Sequence, residues 1–289
     1  MIGAALTVFA LAYLSFASFV ATAATGNPQR GEYIVHLGGC LGCHTEDKKD
    51  AVPFAGGREL KTPFGTFFGP NITPHPLAGI GRWDEGDFIR AIRHGKRPDG
   101  ANYYPAFPYP SFTKISDNDL RDLWAYLRTL PPSSRTNQPH VLRSPFGMRF
   151  LVTFWNWMYF SPGPFANAAD LPDALNRGAY LVQALGHCGE CHTPRNSLGA
   201  PISSRYLAGG KGPEDKRVPN LTPTRLGNWN DAELRKFFLT GINLDEDTVS
   251  DAMNEVIRNT TSKLRPGDLA ALIRYLRSLP SLPNHTDSR

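Results

Sequence analysis

The chain of 289 residues is 41% hydrophobic and 20% charged, the balance of a globular protein long enough for two ordinary domains. Its 27 glycines and 25 prolines point to loop-rich domains and exclude long, simple helical bundles. The net charge of +5 is mild and dispersed, and no basic–aromatic motif accompanies it; this excludes a nucleic-acid binder and leaves acidic partners or anionic lipid surfaces compatible.

Residues 2–24 are uncharged and almost wholly apolar or small, with Ala21-Thr22-Ala23 forming an A-x-A cleavage signature. Segment 1–25 therefore reads either as a cleaved signal peptide or, being long enough to span a bilayer, as a retained N-terminal membrane anchor. Both readings place the rest in the periplasm, soluble or anchored facing it. Asn27-Pro28 predicts a helix start, a cap followed by proline at the first helical position. Tyr33, Ile34 and Leu37 continue it as an apolar stripe into Cys40-Leu41-Gly42-Cys43-His44. Residues 54–75, rich in glycine and proline, are expected to be loop. Asp87 to Arg93 forms a short helix. Ser116 with Asp119 resembles a capping box, and Leu120, Leu123, Trp124 and Leu127 follow at helical spacing. The aromatic stretch Met148 to Phe160 is expected mainly to pack between domains, with a partner or membrane contact as the other reading.

The pattern then restarts. Arg30-Gly31-Glu32-Tyr33 recurs as Arg177-Gly178-Ala179-Tyr180, and Cys40–His44 as Cys188-Gly189-Glu190-Cys191-His192. Ala55-Gly56-Gly57 recurs as Ala208-Gly209-Gly210, Pro70-Asn71-Ile72-Thr73 as Pro219-Asn220-Leu221-Thr222, and Tyr126-Leu127-Arg128 as Tyr275-Leu276-Arg277. Ala232 to Leu239 and Pro266 to Leu279 are the matching helices, and 201–224 the matching loop. One unit is used twice in the same order. No alternating pattern is long enough to predict a sheet. The expected architecture is all-α: a leader at 1–25, a domain at 26–132, an aromatic-rich linker at 133–172 and a second domain at 173–289.

Two cysteines three apart lie on one face of a helical turn, and a histidine follows directly. Cys-x-x-Cys-His is the haem-attachment signature: two sulfurs add to the vinyl groups on one porphyrin side, and the neutral imidazole binds the iron. The expected cofactors are two covalently bound haem c groups, held by Cys40, Cys43, Cys188 and Cys191 with His44 and His192 as iron ligands. All four cysteines are used, so no disulfide is left. A zinc site leaves each histidine directly after cysteine unexplained, and a thioredoxin-like pair needs a βαβ setting that is absent.

The opposite axial position differs between the units. Met253 lies ahead of the last helix of the second unit, where a thioether reaches the other haem face; it is read as an iron ligand, with core filler as the bland alternative. The first unit has no methionine between His44 and its last helix, and Phe107 occupies the ligand position within Tyr104-Pro105-Ala106-Phe107-Pro108-Tyr109. Tyr103, Tyr104, Tyr109, His36, His75, His94 and Met148 stand as weaker substitutes. Water, or no ligand, is the expected state.

With these motifs in place, the sequence resembles the multi-haem cytochrome c subunits of membrane-bound alcohol and gluconate dehydrogenases, from about Arg30 to Pro280. The carriers are both haem motifs, Pro53-Phe54-Ala55-Gly56-Gly57, Asn71-Ile72-Thr73-Pro74, Gly79-Ile80-Gly81-Arg82-Trp83, the Tyr104–Tyr109 segment, and Leu185 to Arg195 in the second unit. The family typically has three haem domains where this chain has two, and its first-domain methionine is here Phe107. The resemblance implies tandem class I-like cytochrome c domains. It implies an electron carrier, not itself an enzyme, taking electrons from a periplasmic or membrane-bound dehydrogenase to a cytochrome, terminal oxidase or quinone. The alternative is a two-haem peroxidase-type enzyme using an open first haem.

Overall fold

The computed structural model describes residues 26–212, 216–249 and 251–285. The 1–25 leader expectation lies outside the described residues; among these, no helix is long and apolar enough to cross a membrane.

Helix α1 (Pro28–Leu37) begins as the sequence predicts: the Asn27 side chain accepts the Arg30 amide at 2.9 Å, and Pro28 stands in the first turn. This cap satisfies a donor that helix geometry leaves without a partner. The α1 face carrying Ile34, Val35 and Leu37 is buried against α5 (Asp117–Leu127), whose Leu120, Leu123 and Leu127 are buried in turn. Gly31 sits where the helices cross: a Cβ there would lie 1.9 Å from the Asp122 carbonyl oxygen. The second half repeats the device. Helix α7 (Asp173–Tyr180), extended by a π turn over Leu181–Leu185, packs on α12 (Pro266–Ser278), and a Cβ on Gly178 would lie 2.1 Å from the Ala271 oxygen. The repeated Arg-Gly-x-Tyr is thus a helix-crossing motif, since only glycine admits so close an approach.

The middle helices α3 (Glu85–His94) and α10 (Asp231–Thr240) both start in full capping boxes, from Asp84 with Asp87 and from Asn230 with Glu233. Short helices complete the halves: α2 (Cys40–His44) and α4 (Tyr109–Phe112) in the first, α8 (Gly189–His192), α9 (Pro223–Leu226) and α11 (Asp251–Asn259) in the second. The expectation of no sheet is corrected. Strands β1 (Glu59–Thr62) and β2 (Gly65–Phe68) form an antiparallel hairpin, β3 (Val141–Leu142) joins β2, and β4 (Gly210–Lys211) pairs with β5 (Arg217–Val218). The hairpin buries only Phe67 deeply. Strands this short leave no alternating signal, and the partner that completes the sheet lies far along the chain.

The capping box expected at Ser116 forms only by half. Ser116 Oγ accepts the Asp119 amide at 3.2 Å, but the Asp119 carboxylate turns away. It accepts a 2.5 Å hydrogen bond from the Tyr180 hydroxyl, across the boundary between halves, and pairs with Arg30 at 3.1 Å. The Ser116 amide donates to the same Tyr180 oxygen at 3.1 Å. The mirror arrangement is present: the Tyr33 hydroxyl donates to Asp268 at 2.8 Å, the Arg265 amide donates to Tyr33, and Arg177 holds Asp268 with two bonds of 2.8 and 2.7 Å. Each half therefore inserts the tyrosine of its first helix against the start of the other's last helix, giving two reciprocal latches.

The aromatic stretch is a helix, α6 (Leu151–Tyr159), and its expected burial between domains is only partly met. Trp155 donates its indole N–H to the Leu198 carbonyl and Asn156 accepts from Tyr109, so α6 touches both halves. Yet Phe150, Phe154, Trp157 and Met158 are exposed.

Candidate haem centres

Each Cys-x-x-Cys-His motif is a single helical turn entered through a left-handed residue, Gly39 (φ 60°) before Cys40 and His187 (φ 38°) before Cys188. Beyond the histidine the chain straightens at Thr45 and Thr193, whose hydroxyls accept the Phe54 and Leu207 amides at 3.1 and 3.0 Å. The histidine carbonyls accept the Gly56 and Gly209 amides, each at 2.8 Å. Asn71 and Asn220 then pin the following segments: their side-chain oxygens accept the Thr73 and Thr222 amides, and their amide groups donate to Ser133 and Leu282 carbonyls. The repeated Pro-Asn-x-Thr is the footing this pinning requires.

That footing aims one carbonyl in each half. The Pro70 oxygen lies 2.7 Å from His44 Nδ1, and the Pro219 oxygen 2.7 Å from His192 Nδ1. A carbonyl can only accept, so each Nδ1 carries the proton and each Nε2 is a bare lone pair. Burial holds His44 below the ordinary imidazole range and His192 down at about 4, so both rings are neutral, the form that binds iron. Burial pushes the thiols up, Cys40 and Cys188 to about 12 and Cys43 to about 11. This is opposite to the depressed thiolate of a dithiol redox enzyme. Among the described residues no three His, Cys, Asp or Glu side chains converge to hold a lone metal ion.

The sulfurs and imidazoles thus fit covalently held haem in both halves. A further sign is the Tyr206 hydroxyl, buried without a hydrogen-bond partner, whose ring packs over the second attachment turn: a Cβ on Gly189 would lie 2.7 Å from its Cε2. An orphaned phenol at that place wants the polar edge of a bound group.

Met253, the methionine expected as a ligand, is partly buried on α11 and packs against the hydrophobic core, four residues before the buried Ile257 on the same helix face. In the first half, Phe107 is ringed by Tyr103, Tyr109 and Phe112, at centroid distances of 5.4, 6.3 and 6.0 Å. Of the weaker substitutes, His36 lies on α1 with its Nδ1 buried and without a hydrogen-bond partner, and others are engaged elsewhere. Tyr104 donates to the Gly147 carbonyl, Tyr109 to Asn156, and burial raises Tyr103 to about 12, against tyrosinate. His75 Nδ1 accepts the Ala78 amide at 3.0 Å, while Met148 and His94 are exposed.

Sequence reasoning missed how the halves cover one another. Glu255 of α11 pairs with Arg58 at 2.8 Å directly over the first attachment turn, and a Cβ on Gly42 would lie 3.3 Å from its carboxylate. Ser111 of α4 donates to Glu190 in the second turn at 2.5 Å. Where the two turns meet, a Cβ on Gly39 would stand 3.7 Å from His187 Cε1. Gly39 and His187 occupy the same position in their motifs, a correspondence the alignment of repeats could have flagged.

The cytochrome c family profile matches residues 28–131. A di-haem c-type cytochrome of Cereibacter sphaeroides is 42% identical over 262 residues, 89% of this chain and 88% of that protein. The cytochrome c subunit of the alcohol dehydrogenase (quinone) of Gluconobacter oxydans is 37% identical over 88% of this chain, and that of the gluconate 2-dehydrogenase of Pantoea cypripedii 38% over 87%. This chain spans only 55% and 59% of those two subunits. Matched by the family profile over residues 28–131 and by a di-haem relative over 89% of its length, the chain belongs to the di-haem c-type cytochromes.

Proposed function

We propose that this chain is a two-centre electron relay of two tandem cytochrome c domains, 26–132 and 173–289, joined by the linker 133–172. It is an electron-transfer protein rather than a catalytic enzyme. Bound haem supplies iron that cycles between ferric and ferrous states, one electron per centre. Cys40, Cys43 and His44 would hold the first group, and Cys188, Cys191, His192 and Met253 the second. The donor is a dehydrogenase, by likeness to the cytochrome subunits of alcohol and gluconate dehydrogenases. The acceptor is a respiratory cytochrome, oxidase or quinone, and the relay works on the periplasmic side.

The observation that carries this reading is the contact between attachment turns, with Gly39 and His187 face to face. Reciprocal latches, rather than a flexible tether, set the separation of the two centres. The haem-loaded protein is tested by reducing a fraction of it with a flash-generated flavin semiquinone. A second-order reduction should be followed by equilibration between the haems at a rate independent of protein concentration. A second phase that scales with concentration defeats the relay.

A further inference from the structure

Helix α6 is apolar on two sides: Val152 is buried against Phe67 and Tyr104, and a second apolar stripe faces outward. Phe150, Phe154, Trp157 and Met158 fall at i, i+4, i+7 and i+8, the spacing of one helical face, and are 60%, 59%, 85% and 48% exposed. Asn156 faces inward and accepts from Tyr109 at 2.5 Å, while exposed Thr153, at the edge of the outward face, accepts from Asn102 at 2.8 Å. Phe146 and Met148, also exposed, extend the apolar stripe. A surface helix ordinarily turns a polar face to water, and a contiguous apolar face of this kind marks a docking surface.

The charges around it identify the occupant. No aspartate or glutamate lies between Asp122 and Asp170, while Arg128, Arg135, Arg143 and Arg149 all do. Arg135 is taken by Glu46, and Arg128 binds the Gly81 carbonyl. Arg143 and Arg149 flank α6 without a carboxylate partner: exposed Arg143 donates to the Pro63 carbonyl, and half-buried Arg149 donates to the Asn102 carbonyl and stacks over the Tyr104 ring at 4.5 Å. Nearby, Arg97 is paired with Asp99. A second copy of the chain would present the same arginines with no carboxylate in the segment to meet them, and like charges across an isologous contact repel. Exposed Trp, Phe and Met on one face, rimmed by arginine, instead match the boundary between acyl chains and anionic headgroups.

We propose that α6 is an interfacial helix that lies in the headgroup region of an anionic bilayer, with Phe150, Phe154, Trp157 and Met158 inserted and Arg143 and Arg149 at the phosphates. This face fixes the orientation of the relay on the membrane surface whether or not residues 2–24 are retained.

The test uses the full haem-loaded chain with vesicles of phosphatidylglycerol and phosphatidylcholine doped with a diazirine-acyl phosphatidylcholine. After irradiation, labelled peptides are mapped by mass spectrometry, so label at 146–160 is read separately from label at 2–24. Label should concentrate in 150–158, fall several-fold in pure phosphatidylcholine or high salt, and fall at least as far in the Phe154→Gln, Trp157→Gln double variant. An unchanged Soret spectrum and haem content show that the variant is folded. Label absent from 146–160 in the wild type overturns the proposal. So do lipid-independent cross-links joining that segment in two copies, or in this chain and an acidic protein partner.

Discussion

Tyr180→Phe isolates the latch between the halves. The hydroxyl removed is 2.5 Å from the Asp119 carboxylate and 3.1 Å from the Ser116 amide, and both Tyr180 and Asp119 are buried, at 8% and 6% exposure. Burial and the neighbouring carboxylate push the phenol far above its ordinary range, so it is a neutral donor throughout the working pH range. A hydrogen bond to a charged group contributes about 1.5–3 kcal/mol, and here water cannot readily replace the lost partner. Arg30 still pairs with Asp119, which limits the loss, and about 2 kcal/mol is expected for the variant. Tyr33→Phe removes the mirror-image group, but Tyr33 is half-buried and Asp268 keeps both bonds to Arg177, so about 1 kcal/mol or less is expected. Urea unfolding of the haem-loaded proteins, followed by far-ultraviolet circular dichroism, gives both differences. Because the latches set the spacing of the attachment turns, both variants should also slow equilibration between the haems. A cost for Tyr33→Phe equal to or above that of Tyr180→Phe, or costs under about 0.5 kcal/mol for both, refutes burial as the source of the latch's strength.

Two further outcomes are expected. The haems should be unequal: carbon monoxide binds the reduced first centre, which Phe107 leaves without a thioether, and spares the second; Phe107→Met should give a low-spin spectrum there and Met253→Ala should open the second centre, whereas two equal methionine-ligated haems by magnetic circular dichroism would show Phe107 to be misplaced. Acid stability should depend on Glu46, which hydrogen bonds from Arg135 and Lys48 lower from 4.5 to about 2. A depressed carboxylate stabilises the fold fully above its unfolded value and loses that contribution as pH falls through the folded one. The urea midpoint of Glu46→Gln should therefore lie below wild type at neutral pH and converge with it between pH 4.5 and 2, and parallel curves would exclude the linkage.

The sequence alone determined the attachment chemistry and the repetition, because both are written in contiguous residues. Cys40 to His44 and Cys188 to His192 form single turns, and Asn27-Pro28 starts a helix, through interactions that span four residues or fewer. Repeated glycines at 31 and 178 and prolines at 70 and 219 were visible as letters, but their purposes were not. A close helix crossing and a carbonyl aimed at an imidazole depend on chain segments brought together from afar. The same limit explains Asp119, whose local spacing predicts a capping box while its carboxylate is claimed by Tyr180 of the other half. It explains β1 and β2, too short to show a period and completed by Val141–Leu142. It also explains α6, which local pattern marks only as apolar. Which face of such a helix meets solvent is decided by what the rest of the chain packs against it, and here tertiary structure packs Phe67 and Tyr104 on Val152 and Tyr109 on Asn156, and leaves the aromatic face outside.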